Sequence, residues 1–197
     1  GRMSDIVIDN ISKSYGERPV LRDFSELIPE GRVTAVMSPS GSGKTTLLRL
    51  ILGLERPEKG EIRGVPRRCA AVFQEDRLFP MLSTEKNIKM ALGREYDLAA
   101  TRIMLTRLGL AEDADKPASE LSGGMRRRGA IARALLSDFE LLALDEPFKG
   151  LDSENKYRAA EAMIERSAGK TLILVTHCEE DMALLHAEKL IKLTKMP

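Results

Sequence analysis

The chain contains the segment Ser38-Pro39-Ser40-Gly41-Ser42-Gly43-Lys44-Thr45-Thr46, which follows a short apolar run and precedes a helical pattern. A glycine-rich phosphate-binding loop occupies this position between a strand and a helix. Gly41 and Gly43 let the backbone approach a phosphate without a Cβ clash, and the helix start adds unpaired N–H groups and a positive dipole end. Lys44 can reach the β- and γ-phosphates, and the Thr45 hydroxyl can ligate Mg²⁺. The segment therefore predicts a site for a nucleotide phosphate chain.

A second signal lies about 100 residues further on, where an apolar run ends in the adjacent carboxylates Asp145 and Glu146. Such a pair alone is often a solvated strand end. After a phosphate loop, however, the pattern is typical of a nucleotide-hydrolysing site. We predict that Asp145 holds Mg²⁺ through water and that Glu146 polarises the water that attacks the γ-phosphate.

Composition places the chain among globular proteins, with 43% hydrophobic and 31% charged residues in a length of 197. Lys and Arg total 31 and Asp and Glu total 30, so the net charge is +1 and we expect no nucleic-acid partner. The apolar runs fall short of the roughly 20 residues that cross a bilayer. Cys69 and Cys178 lack metal or disulfide spacing, which favours free thiols in a reducing cytosol.

The order of the predicted elements indicates an α/β fold, because strand patterns alternate with helical ones. A helical region lies in the middle of the chain and suggests a lobe inserted between two strands. The expected strands lie at 6–8, 20–28, 32–37, 69–73, 140–144 and 171–175, and the expected helices lie at 44–54, within 84–107, from 117 to about 136, and at 153–167.

The segment Leu121-Ser122-Gly123-Gly124-Met125, taken with the two signals above, resembles the ATP-binding subunits of ABC transporters. The likeness covers nearly the whole chain, and several motifs in the family's order are more specific than any one of them. The further motifs are Tyr15 before the loop, Gln74 after Val72-Phe73, Gly150-Leu151-Asp152 after the carboxylates, and His177 after Val175-Thr176.

The resemblance implies a single ABC ATPase domain over residues 1–197. Its P-loop NTPase core, which is RecA-like, would cover about 4–82 and 138–197. That core would have a mixed sheet and an N-terminal antiparallel β subdomain. The inserted helical lobe would cover about 83–137.

The resemblance also implies that two subunits, identical or different, pack head to tail and sandwich two ATP molecules. Ser122, Gly123 and Gly124 of one subunit would face the γ-phosphate held by Lys44 of the other. A serine at the start of a helix, followed by backbone N–H groups that have no partner within the helix, can form a second anion-binding site. Asp152 would cross the interface and help to order the opposing site.

Three further roles follow from the same resemblance. Tyr15 would stack on adenine, although a half-buried strand aromatic is the alternative. Gln74 would touch Mg²⁺ and the attacking water and report to the membrane partner. His177 would hydrogen-bond the γ-phosphate and orient the water. Two residues depart from the family pattern: Ser38 stands where Gly usually opens the loop, and Cys178 stands where Asp commonly follows the histidine.

Two further segments have more than one interpretation. The run Arg126-Arg127-Arg128 opposes the helix dipole, so we expect acidic or phosphate partners and a salt-bridged face. The apolar loop Leu78-Phe79-Pro80-Met81-Leu82 is either part of the lobe core or, as the resemblance implies, the border of a groove for a cytoplasmic helix of a membrane-spanning partner.

The sequence thus predicts an ATPase subunit, cytoplasmic and peripheral on the inner face of the cell membrane, that powers solute transport through separate permease subunits. A single short cassette resembles bacterial importer subunits more than exporters fused to their membrane domains. One alternative is a non-transport ABC-type ATPase acting on ribosomes or DNA, although such relatives tend to carry paired cassettes or a long coiled coil. The other is a nucleotide-binding regulator without turnover, against which Glu146 and His177 argue.

Overall fold

The computed structural model describes residues 4–37, 39 and 43–194. Ser38, Ser40, Gly41 and Ser42 of the predicted phosphate loop lie outside the described residues. The chain divides into two compact units. The first comprises the described residues within Gly1–Cys69, Phe139–Glu146 and Ser167–Pro197, and the second comprises Ala70–Asp138 and Pro147–Arg166. The lobe boundaries expected at about residues 83 and 137 stay a prediction.

Strands and helices are interspersed along the chain and alternate regularly from residue 141 to residue 192, as the sequence predicts for an α/β fold. Short 3-10 turns lie at Gly93–Glu95, Ala111–Asp113 and Ala118–Glu120. In chain order the elements are β1 (Ile6–Tyr15), β2 (Arg18–Ile28), β3 (Val33–Met37), α1 (Lys44–Ile51), β4 (Lys59–Arg63), β5 (Cys69–Val72), α2 (Thr84–Leu92), α3 (Leu98–Arg107), α4 (Gly123–Leu136), β6 (Leu141–Asp145), α5 (Ser153–Ser167), β7 (Thr171–Thr176), α6 (Glu179–Leu184) and β8 (Lys189–Lys192).

A three-stranded antiparallel sheet, in the order β2-β1-β4, belongs to the first unit. Apolar residues alternate along β1, and Ile6 and Ile8 are 1% and 2% exposed. The register pairs Ile6 with Ile28 and Ile8 with Ile62, which places isoleucines opposite one another on the buried face. This sheet is the N-terminal antiparallel β subdomain that the family resemblance implies.

Within the first unit, the strands of the second sheet have the order β6-β7-β3-β8. Every residue of β6 and β7 is buried, as the continuous apolar runs predict for strands covered on both faces. The ladders β6–β7, β7–β3 and β3–β8 are parallel, so their carboxyl ends meet at one edge. The predicted α/β fold class is confirmed.

Helix α1 begins where the phosphate loop ends. Its N-cap, Gly43, has a φ of 91°, and a Cβ there would lie 2.6 Å from Cγ1 of Val20. Only glycine fits both the left-handed backbone and the space, so the Gly-Lys-Thr sequence fixes where the helix starts. The helix ends at Ile51 rather than the expected Leu54, because Gly53 adopts a φ of 70°.

In the second unit, the apolar faces of α2, α3 and α4 form the core. The side chains of Ile88, Leu105, Leu108, Ile131 and Leu135 are each no more than 1% exposed. The expected helical stretch within 84–107 is two helices, because Gly93 (φ 56°) ends the first and Asp97 caps the second by accepting from the N–H of Ala100.

Helix α5 has the bounds that the sequence predicts. Its residues Ala160 and Met163 are buried, whereas Tyr157 is 62% exposed, because a large amphipathic ring tolerates solvent. Among helices in the described ranges, none combines the length and apolar character needed to cross a bilayer.

Candidate functional site

The centre of the candidate site is a buried ion pair between Lys44 and Glu146. Lys44 opens α1, Glu146 follows β6, and the two residues are 7% and 6% exposed. The ammonium Nζ donates to Oε1 of Glu146 over 3.4 Å. A cation at a helix N-terminus opposes the helix dipole and is costly to bury, so its placement suits an anionic ligand.

His177 contacts the same carboxylate oxygen. Its Nδ1 lies 2.6 Å from Oε1 of Glu146, while 65% of the imidazole side chain is exposed. One oxygen of Glu146 is therefore held by both Lys44 and His177. The carboxylate is fixed in one orientation, and the imidazole keeps an accessible side toward solvent.

The backbone of Glu146 is also constrained. Its φ is 48°, in the left-handed region that a glutamate rarely adopts, and its N–H donates to the carbonyl of Val175 over 2.8 Å. Such a conformation costs about 1–3 kcal/mol and persists only where the surroundings fix it. The turn directs the carboxylate back along the sheet edge toward Lys44.

Thr45 and Asp145 form a second polar pair beside the first. Thr45 Oγ1 donates to Oδ2 of Asp145 over 2.8 Å, and Asp145 is fully buried at the end of β6. A hydroxyl and a carboxylate are hard oxygen donors of the kind that Mg²⁺ selects. These residues fit a magnesium site, as the sequence predicts.

Tyr15, the residue expected to stack on adenine, ends β1 with 46% of its surface exposed. Its hydroxyl donates to the carboxylate of Glu55 and lies 3.4 Å from the hydroxyl of Thr46. Burial of the hydroxyl end, together with the bond to Glu55, raises the pKa of Tyr15. The hydroxyl therefore anchors the ring next to α1, and the ammonium of Lys13 lies over the ring, 5.7 Å from its centroid.

The Ser-Gly-Gly run opens helix α4 in the second unit. Ser122 is the N-cap, and its Oγ accepts from the N–H of Met125 over 3.2 Å. A Cβ at Gly123 would meet no atom of the described part of the chain within 4 Å, whereas one at Gly124 would lie 3.4 Å from the carbonyl of Gly150. The helix start is exposed, and its first turn, Gly123–Arg126, carries no acidic side chain, as an anion site requires.

Gln74 and Asp152 also belong to the second unit. Gln74 follows β5, and its backbone carbonyl accepts from the guanidinium of Arg127 over 2.5 Å. Asp152 precedes α5 and accepts from the N–H of Asn155 over 2.8 Å. The backbone N–H of Asn155 lowers the pKa of the Asp152 carboxyl.

Some supporting residues give no signal in the sequence. Glu55 anchors Tyr15 from 40 positions away. The buried hydroxyl of Thr176 donates to Oδ2 of Asp181 over 2.9 Å and accepts from the N–H of Cys178 over 3.0 Å. These bonds brace the turn that carries His177. The backbone of Cys178, which stands at the position usually held by Asp, takes part in that bracing.

The fold and this site define a P-loop NTPase. The sequence model of the family described as ABC transporter matches residues 21–149. Two curated relatives are similar over most of their length. Aliphatic sulfonates import ATP-binding protein SsuB 1 of Paracoccus denitrificans (strain Pd 1222) is 37% identical, over 95% of this chain and 78% of the relative. SsuB 2 of Pseudomonas syringae pv. tomato (strain ATCC BAA-871 / DC3000) is 34% identical, over 98% and 83%.

A solved structure described as the dimer of a bacterial ABC transporter cassette matches with a TM-score of 0.86 and 28% identity, over 96% of this chain and 94% of that one. The ATP-bound structure of a bacterial Atm1-family ABC exporter shares the fold, with a TM-score of 0.87 at 22% identity, over 100% of this chain and 38% of that one. The chain belongs to the ABC transporter family. It is an ABC-type ATPase subunit that binds ATP and powers solute transport across a membrane.

Proposed function

We propose that two copies of this chain close head to tail on two ATP molecules and that hydrolysis, with Glu146 as general base, reopens the dimer. A heterodimer with a related ATPase subunit is the alternative. The observation that carries the proposal is the carboxylate of Glu146, with one oxygen 3.4 Å from Lys44 Nζ and 2.6 Å from His177 Nδ1. A carboxylate so held can accept a proton from water beside the γ-phosphate.

In the proposed reaction, the oxygen of water attacks the γ-phosphorus and the bond to the β–γ bridging oxygen breaks. ADP leaves with that oxygen, and the proton of the water passes to Glu146. Lys44 neutralises charge on the phosphate oxygens. The exposed side of His177 hydrogen-bonds the γ-phosphate, and its Nδ1 keeps the base oriented.

The remaining nucleotide contacts belong to the loop and to Tyr15. The ring of Tyr15 stacks on adenine, a role supported by the partial exposure of the residue and by its anchored hydroxyl. Lys44 and Thr46 lie in the first turn of α1, and the N-terminus of this helix faces the phosphates. The sequence assigns Ser38, Pro39, Ser40, Gly41, Ser42 and Gly43 to the nucleotide-binding loop, and we propose that they contact the phosphate chain.

The second half of each site comes from the opposite protomer. Ser122, Gly123 and Gly124 contact the γ-phosphate bound by Lys44 of the other copy, and Asp152 orders the opposing site across the interface. The exposed helix start and the absence of an acid in its described first turn support this role. The dimeric cassette structure that this chain resembles supports head-to-tail pairing.

Thr45 and Asp145, together with Gln74, would hold Mg²⁺, with Asp145 acting through water. When bound, Mg²⁺ supplies positive charge that stabilises the developing charge on the phosphates. The oxygen donors 2.8 Å apart support the assignment. Thr45 and Asp145 hold each other in place, so the pair is ordered before a cation arrives.

Removal of divalent cations is expected to abolish turnover. We expect EDTA to lower the ATPase rate at least a hundredfold, because Lys44 alone then faces the phosphate charge. Added Mg²⁺ should restore the rate, and K⁺ at equal ionic strength should not. A steady-state phosphate-release assay that shows turnover unchanged in EDTA would contradict the metal assignment.

We propose that separate permease subunits bind the second unit and hold the chain at the cytoplasmic face of the membrane. Phe79 and Met81 are 56% and 80% exposed, an apolar surface that suits an amphipathic helix of the membrane partner. Their chain neighbours Leu78 and Pro80 line a groove of about 350 Å³, together with Asp76, Arg77, Ala118, Ser119 and Arg126.

The relatives named as aliphatic sulfonate import subunits support an aliphatic sulfonate as the solute. We expect a strain that lacks this chain to lose growth on an alkanesulfonate as the only sulfur source and to keep growth on sulfate. The parent gene should restore growth, whereas a copy carrying Glu146→Gln should not. Undiminished growth of the deletion strain on alkanesulfonates would contradict this cargo.

A further inference from the structure

We propose that Arg127 is a positioning residue that fixes the Gln74 backbone to helix α4, the helix that begins at Ser122. The inference rests on the function proposed above for Gln74 and Ser122. The γ-phosphate contact made by the start of α4 would then set the position of Gln74 in the same protomer.

The guanidinium of Arg127 contacts three residues of the second unit. Arg127 is 6% exposed, Nη1 donates to the carbonyl of Phe73 over 2.6 Å, and Nη2 donates to the carbonyl of Gln74 over 2.5 Å. Nε lies 3.4 Å from Oδ1 of Asp76. The planar fork of arginine serves several acceptors at once, which a lysine ammonium cannot match in geometry.

A second arginine of α4 holds the next residues of the same segment. Arg133 Nη2 donates to the carbonyl of Asp76 over 2.9 Å, and Nη1 donates to the carbonyl of Arg77 over 3.0 Å. Residues 73–77 belong to no strand or helix, so their carbonyl groups need partners from elsewhere. Two side chains of one helix supply four of those partners.

The link from Arg127 to the phosphate contact is a rigid one. Ser122 caps α4, and Arg127 lies in the second turn of the same 14-residue helix. The neighbouring arginines tie the start of this helix to its own unit: Arg126 donates to the carbonyl of Leu121 over 2.5 Å, and Arg128 donates to that of Leu108 over 2.7 Å. A displacement of the helix start therefore moves the Arg127 fork and the Gln74 carbonyl with it.

The substitution Arg127→Met tests this role, because it keeps an unbranched apolar chain in place of the arginine stem and removes all three contacts. We expect kcat for ATP to fall about tenfold, as a misplaced reacting group costs one to two orders of magnitude in rate. The dissociation constant for ATP should change less than twofold. Arg127→Lys should retain an intermediate kcat, and the exposed Arg102→Met serves as the matched control, with kcat unchanged.

A double-mutant cycle with Gln74→Ala separates positioning from general destabilisation. If Arg127 acts through Gln74, adding Arg127→Met to Gln74→Ala should lower kcat no further, whereas independent effects would multiply. Multiplied losses would overturn the role of Arg127 and leave that of Gln74 intact. An unchanged kcat in Gln74→Ala alone would overturn the proposed role of Gln74 and this inference with it. If Arg127→Met does not fold, the same cycle is run with Arg127→Lys.

Discussion

Exchanging Glu146 for Gln is expected to lower the steady-state ATPase rate at least a hundredfold while ATP still binds, because a general base contributes about 10²–10⁴ in rate. The amide has nearly the shape of the carboxylate but cannot accept the proton of the attacking water. Oε1 of Glu146 lies 3.4 Å from Lys44 Nζ. Removing the charge of Glu146 therefore also removes its competition with the phosphates for the Lys44 ammonium. The variant should therefore accumulate as a closed, ATP-bound dimer.

Two measurements on the same samples check this result: phosphate release gives the ATPase rate, and light scattering detects the dimer. The matched control is Glu161→Gln, an exposed glutamate on α5, which should hydrolyse ATP at the parent rate. Hydrolysis at the parent rate by the Glu146 variant would show that another group accepts the proton.

Replacing Lys44 by Ala should raise the dissociation constant for ATP at least about tenfold, since a charge-assisted contact to phosphate is lost. Lys44 is 7% exposed and is the first residue of α1, so a flexible surface cation does not readily take its place. Calorimetric titration with ATP measures the change. Lys86→Ala removes an exposed lysine from α2 and should leave the affinity as it is. An ATP affinity equal to the parent's in Lys44→Ala would refute the phosphate-site assignment.

Several elements of the fold follow from local patterns alone. The apolar runs that become β6 and β7 are short, continuous and flanked by polar residues, which distinguishes buried parallel strands from amphipathic helices. The start of helix α1 is predicted by Gly43-Lys44-Thr45, because the glycine adopts the positive φ of the N-cap and the lysine is the first residue of the helix. These signals act over a few residues and do not depend on distant partners.

Other elements depend on neighbours that a sequence does not identify. β4, with the polar sequence Lys59–Arg63, forms because β1 offers an edge, and no apolar alternation indicates it. The six-residue helix α6 and the edge strand β8 are too short for periodicity to be decisive. The carbonyl partners of Arg127 lie 53 and 54 positions away, so its role is visible only after folding.

Some features of the candidate site can likewise be predicted from the sequence, and others depend on the fold. The motifs identify Lys44, Asp145, Glu146 and His177 by residue type and order. The sharing of one Glu146 oxygen by Lys44 and His177, and the left-handed backbone of Glu146, arise from parallel strands that end at one edge. The phosphate contact of the Ser122 helix requires a second copy and stays a prediction.

Mixing two defective variants tests the shared-site account most directly. One chain carries Lys44→Ala, and the other carries Gly123→Glu. A Cβ at position 123 would meet no atom of the described residues within 4 Å, and the glutamate puts a negative charge where the phosphate is proposed. Both also carry Glu146→Gln, so that ATP is retained rather than hydrolysed. Neither chain alone should retain ATP after gel filtration. The mixture should retain about a quarter of the amount retained by the Glu146→Gln protein, because half of randomly paired dimers are mixed and each contains one intact site. No retained ATP in the mixture would contradict a site built from two copies.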